Sequence, residues 1–304
     1  MLLDLVSFFF ALLALQKLAD LAVDNLSKFA SLTGLVKFGV AMLFISTATS
    51  LPELSIALTA SVMGYSSVAS SALMGSVIVL ISFVAGICIA FYGARVGKRE
   101  KDHTLMAFSV VAALLLFALA YGFGELYGLL ALIFFFALAK RILSIREERI
   151  LKRRSGIKEL LSCTATLVVL FIAIVFTAWI VNYETHTLAI TLGISETAIG
   201  ATLIAIISSL PDLLVCLNAF KKGEQEILMG DVVGTVFIDL LLGLGVVSLV
   251  SPFSTNFSIL ILISFLLLTF VVFAAFLSEK ELDRYHGLVL LGLFVLYSIL
   301  AASL

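Results

Sequence analysis

The sequence predicts an all-α membrane protein of ten transmembrane helices in two inverted five-helix repeats. Three observations lead there. The 304-residue chain is 62% hydrophobic and only 13% charged, outside the range of soluble globular domains, and several apolar runs approach or exceed the roughly 20 residues that cross a bilayer. One stretch occurs twice: residues 34–80 and 193–239 align without a gap at a constant offset of 159 residues. Lys and Arg concentrate in alternate turns between the apolar runs. A transmembrane barrel would show short alternating segments instead.

The spans are expected near 2–23, 34–62, 66–93, 104–122, 124–143, 159–182, 195–219, 226–249, 257–278 and 284–303. Gly64 and Tyr65 separate the second from the third, and Tyr121 to Glu125 the fourth from the fifth. The seventh ends at Lys221, Lys222 and Gly223, and Ser251 and Pro252 follow the eighth. If the N-terminus lies outside, alternate turns face inside and hold 18 of the 19 basic residues, all but Lys17. That is the positive-inside pattern. It predicts a multi-pass protein of the cell membrane with both termini outside. The first run lacks a basic leader and a small-residue cleavage site, so no cleavable signal peptide is expected.

The polar stretch 141–158 divides the chain. Residues 1–143 form a first half with its repeat at 34–80, 144–158 a short basic cytoplasmic linker, and 159–304 a second half with its repeat at 193–239. Five spans per half is odd, so the second half enters the membrane inverted. The basic linker sits near anionic headgroups, and topology control is its simplest role.

Chemistry concentrates in the repeats. Glu53 and Asp212 occupy matched positions, each after a proline and inside an apolar span, where a carboxylate costs several kcal/mol unless paired, protonated or hydrated. Pro211 cannot donate to the carbonyl of Ile207, nor Pro52 to that of Ala48, so each proline should kink its helix and free a carbonyl. Ser46, Thr49 and Ser50 precede Glu53; Ser208 and Ser209 precede Asp212, where Ala205 offers only its backbone. Asp239 is a third buried acid with Thr235 one turn before it; the first repeat has Ser76 and Leu80 at those positions. Carboxylate, hydroxyl and carbonyl oxygens are what hard cations require. Asp231 is a fourth acid nearer its helix start, read as a structural or ion-access residue. Asp20 and Asp24 read as interfacial, and Glu125, Glu184 and Glu196 as boundary acids. Cys88, Cys163 and Cys216 read as packing residues, and His103, His186 and His286 as isolated loop or interface residues. Trp179 and Tyr183 fit an aromatic belt at the outer end of the sixth span. No nucleotide-binding loop, zinc motif or activated nucleophile is evident. The expected partners are therefore inorganic cations and the lipid bilayer, with no cofactor, nucleic acid or protein partner and no enzymatic activity.

On these residues the chain resembles the Ca2+:cation antiporter superfamily, the sodium/calcium exchangers and their relatives. The family pattern is a G-T-S-L-P-E turn followed by G-N-x-x-G-S-N-x-F-N or its D-ending form. Here it reads ATSLPE at 48–53 and SALMGSVIVL at 71–80, then ISSLPD at 207–212 and GDVVGTVFID at 230–239. The resemblance implies cation sites between spans 2, 3, 7 and 8, with ligands at Ser46, Thr49, Ser50, Glu53 and Ser76, and at Ala205, Ser208, Ser209, Asp212, Thr235 and Asp239. It also implies that spans 1 and 6 are gating helices that slide over the core. Ala48 and Ile207 replace motif glycines, Ser71 and Ala72 replace the usual G-N, and Leu80 replaces a polar ligand. The paired aspartates Asp212 and Asp239 are similar to those of the potassium-dependent exchangers.

The expected function is secondary antiport of Ca2+ against Na+ by alternating access, with K+ co-transport as a variant. A Ca2+/H+ or other divalent-cation/proton exchanger is the principal alternative, ahead of a cation channel or a non-transporting membrane scaffold.

Overall fold

The structure is a computed structural model describing residues 2–33, 50–143, 157–221, 226–279 and 281–304. It is helical almost throughout. The helices are α1 (Leu2–Thr33), α2 (Leu51–Met63), α3 (Ser66–Tyr92), α4 (Lys98–Tyr121), α5 (Glu125–Leu143), α6 (Ile157–Leu192), α7 (Glu196–Lys221, interrupted at Ser209), α8 (226–250), α9 (Phe257–Phe276) and α10 (Arg284–Ala302). Two-residue strands, β1 (Ala94–Arg95) and β2 (Glu281–Leu282), pair antiparallel. Among the described residues eight helices, all but α2 and α5, are long and apolar enough to cross a membrane. The expected second span lies partly outside the described residues, which omit 34–49.

Local sequence accounts for most ends. Gly64 caps α2 at φ 83°, a left-handed conformation that glycine adopts without steric cost. The Asn256 side chain accepts from the Ile259 amide to start α9. Asp283 and His286 form a capping box at the start of α10. Two helices outrun their expected ends. α1 continues past residue 23 to Thr33 and α6 past 182 to Leu192, because neither stretch contains Gly or Pro until Gly34 and Gly193. Trp179 and Tyr183 therefore lie within α6 and not at its end.

α2, α3, α7 and α8 pack against one another at the centre, and α3 and α8 are buried along most of their length. α4, α5, α9 and α10 flank this core. α1 and α6 lie side by side and lean on α2 and α7. Phe8, Ala11, Leu15, Ala19 and Ala22 of α1 are buried, as are Leu167, Leu170, Ile174, Ala178 and Val181 of α6. The two sets are the same positions shifted by 159 residues, and their spacing of three and four residues is that of a coiled-coil seam.

The relation between the two halves extends to the backbone. Ala94 pairs with Leu282. Moving Ala94 forward and Leu282 back by the repeat offset gives Phe253 and Phe123, which form the isolated bridge between the α8–α9 and α4–α5 turns. Their main chains exchange hydrogen bonds of 3.0 Å in each direction and their rings stack at 4.6 Å. The glycine contacts repeat as well. Gly287 lies against the Ala90 backbone, and at the matched positions Gly128 lies against Leu249 and the Gly245 carbonyl.

An added Cβ at Gly128 would stand 2.7 Å from the Gly245 oxygen. Gly128→Val and Gly287→Val are each expected to destabilise the fold by about 1–3 kcal/mol, read as a lower unfolding temperature in detergent. An unchanged temperature in both would mean that these helices separate freely.

Candidate cation site

The centre of the molecule is polar where the four core helices meet. Ser50, Glu53, Ser76, Ser208, Ser209, Asp212, Asp231, Thr235 and Asp239 are all buried. Both halves contribute to each contact there. The Ser76 hydroxyl of α3 donates to Asp239 Oδ2 of α8 at 2.6 Å, and Ser50, just before α2, is a further hydrogen-bonding neighbour of Asp239. In the opposite sense, Ser208 of α7 lies near Glu53 on α2. Glu53, Asp212 and Asp239 lie within electrostatic reach of one another. Thus the acids expected from the sequence do come together, across the two repeats.

Helix breaks place these groups. α7 is interrupted at Ser209, two residues before Pro211, and α2 begins at Leu51 beside Pro52. The Ile207 carbonyl that Pro211 cannot serve accepts instead from the Gln16 amide of α1. Three segments widen to π geometry, Leu80–Val84 in α3, Gly200–Ile204 in α7 and Val236–Gly243 in α8, and Asp239 sits within the last. Such segments disturb the regular main-chain ladder and frequently mark functional sites. Two tyrosines reach carbonyls inside them: Tyr297 of α10 donates to Ala201 O at 2.6 Å, and Tyr127 of α5 to Leu240 O at 3.4 Å. Gly75 lets α3 approach this region, since an added Cβ would stand 2.9 Å from the Ala205 Cβ and 3.0 Å from the Ala201 oxygen.

Several oxygens remain without a hydrogen bond in this arrangement: Glu53 Oε2, Asp212 Oδ1, Asp231 Oδ1, Thr235 Oγ1 and Asp239 Oδ1. Buried polar atoms are rarely left so, and five on neighbouring helices make a surface suited to a hard cation. Among the described residues no three His, Cys, Asp or Glu side chains gather as a metal cluster by themselves. A cation here would therefore need hydroxyl and carbonyl oxygens as well as carboxylates. The Ala205 carbonyl already accepts from the Ser208 and Ser209 hydroxyls at 3.2 and 2.9 Å. Ser46 and Thr49 lie outside the described residues. Leu80 is buried at the position matching Asp239 and supplies no oxygen.

Some roles differ from the sequence expectation. Asp231 is buried and within electrostatic reach of Glu53 and Asp212, because its helix starts only five residues earlier, at Glu226, and sinks at once between α4 and α7. His186 is not isolated: its Nδ1 lies 2.6 Å from Glu196 Oε1 and its ring stacks on Tyr65 at 4.7 Å. His286 likewise contacts Asp283 and Glu279. The reading missed Gln16, Asn182, Tyr127 and Tyr297. Asn182 of α6 is fully buried and donates to Ile56 O at 2.9 Å and to Thr59 Oγ1 at 2.7 Å on α2. A lone amide inside an apolar span was the available signal for Gln16 and Asn182; the tyrosines carried none.

The family model described as sodium/calcium exchanger protein matches residues 3–140 and 162–302. The chain belongs to the sodium/calcium exchanger protein family. One matched segment holds α1 to α5 and the other α6 to α10. Among individual relatives, the chain is 32% identical over 146 residues to the inner membrane protein YrbG of Escherichia coli, covering 48% of this chain and 45% of YrbG. It is 34% identical over 139 residues to the sodium/calcium exchanger MaX1 of Methanosarcina acetivorans, covering 43% and 38%. These matches therefore span less than half of either relative. The membrane protein MJ0091 of Methanocaldococcus jannaschii matches more widely, 27% identical over 82% of this chain and 81% of its own. A solved structure of the sodium-calcium exchanger NCX_Mj superposes with a TM-score of 0.71 over 100% of this chain and 99% of that one, at 24% identity. That likeness establishes the fold.

The Gln16 contact offers a direct check on how the protein holds its broken helix. Gln16→Leu removes the side-chain donor from the part-buried Ile207 carbonyl and is expected to cost about 1–3 kcal/mol, measured as a lower unfolding temperature. Retention of wild-type stability would mean that another donor serves this carbonyl.

Proposed function

We propose that this chain is a secondary antiporter that exchanges Ca2+ for Na+ across the cell membrane by alternating access. The observation that supports this reading is the hydrogen bond between the repeats, from Ser76 of the first to Asp239 of the second at 2.6 Å. It joins a hydroxyl of one half to a buried carboxylate of the other. The proposed ligands are Glu53, Asp212 and Asp239, with oxygens from Ser46, Thr49, Ser50, Ser76, Ala205, Ser208, Ser209 and Thr235. Ca2+ and Na+ compete for these oxygens, and the gradient of one drives the other; the ions only have to stabilise the states between which the protein switches.

In this reading the chain has ten spans, with α2 and α5 completing the eight long helices. The halves are 1–143 and 159–304, joined by the cytoplasmic linker 144–158, and both termini lie outside. The paired aspartates Asp212 and Asp239 support K+ as a co-transported ion. α1 and α6 are the parts that slide. They are 32 and 36 residues long, well beyond the roughly 20 residues that span a bilayer, and they meet each other along an apolar seam.

Ca2+ uptake by the purified protein in lipid vesicles, with Na+, K+ and proton gradients imposed one at a time, tests the assignment. Uptake driven by internal Na+ is expected; uptake that ignores Na+ and follows a proton gradient would make the protein a Ca2+/H+ exchanger instead. Glu53→Gln and Asp212→Asn are each expected to abolish exchange, because each removes a negative ligand, and near-normal transport in both would sink the proposed cluster. Leu80→Asn restores a polar group opposite Asp239 and is expected to change ion selectivity or affinity, measured as the concentration dependence of uptake for each ion. An unchanged profile would place residue 80 outside the ion path.

A further inference from the structure

Asp231 is the buried acid that the proposed ligand set leaves unused. It is 6% exposed. Its Oδ1 has no hydrogen-bond partner, and its Oδ2 faces only the Cys216 thiol at 4.0 Å, a weak donor. An acid retained for structure alone would be expected to hold a strong donor, since a buried carboxylate without one is unfavourable. Its place on the helix gives it another use. Asp231, Thr235 and Asp239 recur at four-residue intervals and so share one face of α8. At 1.5 Å per residue, Asp231 lies about 12 Å from Asp239 towards the start of α8. Asp212 and Cys216 have the same four-residue spacing on α7. Asp231 is within electrostatic reach of Asp212, Glu53 and Asp239. Among the described residues, Asp239 Oδ1, Thr235 Oγ1 and Asp231 Oδ1 all lack a hydrogen bond, one turn apart along α8.

We propose that Asp231 forms a second cation position between the central acids and the face at the start of α8, where a transported hard cation, Ca2+ or Na+, is held on its way to or from that face. The inference rests on the exchange reading and adds a side to it. The position serves one face only, because no acid matches Asp231 in the first repeat, where Ala72 stands instead.

The test is Ca2+ exchange in vesicles of known orientation, with the half-saturating Ca2+ concentration measured separately at each face. Asp231→Asn is expected to raise that concentration about tenfold at the face where α8 starts and to leave the other face within about twofold; Asp231→Glu should restore the wild-type value. Equal shifts at both faces, or none, overturn the inference. If the wild-type protein exchanges no Ca2+ under any gradient, the exchange reading fails; if it exchanges and Asp231→Asn behaves as wild type, only the second position fails. Should Asp231→Asn not fold, Cd2+ applied at the face where α8 starts decides. It is expected to block the wild-type protein at least tenfold more strongly than Cys216→Ala, since a thiol beside a carboxylate suits that ion, and equal block in the two overturns the inference.

Discussion

The structure depends on what becomes of main-chain carbonyls where a helix breaks inside an apolar slab. A broken helix exposes oxygens to cations, but it also strands oxygens that no water reaches, and each stranded group costs several kcal/mol in lipid. Here the flanking helices supply the missing donors. Gln16 of α1 serves Ile207, Tyr297 of α10 serves Ala201 and Tyr127 of α5 serves Leu240. The outer helices are thereby attached to the core at its irregular points. The same breaks orient the carboxylates, so the cost of the irregular backbone is offset by residues well away from any ion.

The two halves are related in fold and unequal in chemistry. The second supplies three buried aspartates, Asp212, Asp231 and Asp239, whereas the first supplies Glu53 and a set of hydroxyls. Ser76 and Ser50 of the first half face Asp239 of the second, and Ser208 of the second faces Glu53 of the first. Each repeat thus brings both hydroxyls and carboxylates to the centre, in unequal numbers. The buried leucine at position 80 is the clearest mark of this asymmetry, and it sits where a π segment begins, as Asp239 lies inside the matching one.

Much of this was legible in the sequence because it is encoded by period and repetition. The 159-residue offset anticipated the two repeated halves, and the proline–acid turns anticipated that Glu53 and Asp212 would be buried. The Ile207 carbonyl was foreseen as free, but its donor was not, because Gln16 lies 191 residues away and no local pattern links the two. The π segments were equally hidden, since a single extra residue per turn leaves an apolar run looking like any other. The ends of α1 and α6 were placed too early because Asp24 in the first, and Trp179 and Tyr183 in the second, suggested an interface, whereas the helical backbone runs on through both stretches. Asp231 was judged by its nearness to a helix start, and burial by α4 and α7 outweighed that position.

The paired backbone clamps bear on how the molecule is made. One joins Ala94 to Leu282 and the other Phe123 to Phe253, so each takes one partner from each half. A chain that enters the membrane from its N-terminus therefore carries two open edges, at residues 94 and 123, through most of its synthesis. The second of these is met when residue 253 arrives, and the first only when residue 282 does. The clamp at Phe123 thus has both partners before the clamp at Ala94 does, and a chain truncated before β2 would hold the one and lack the other.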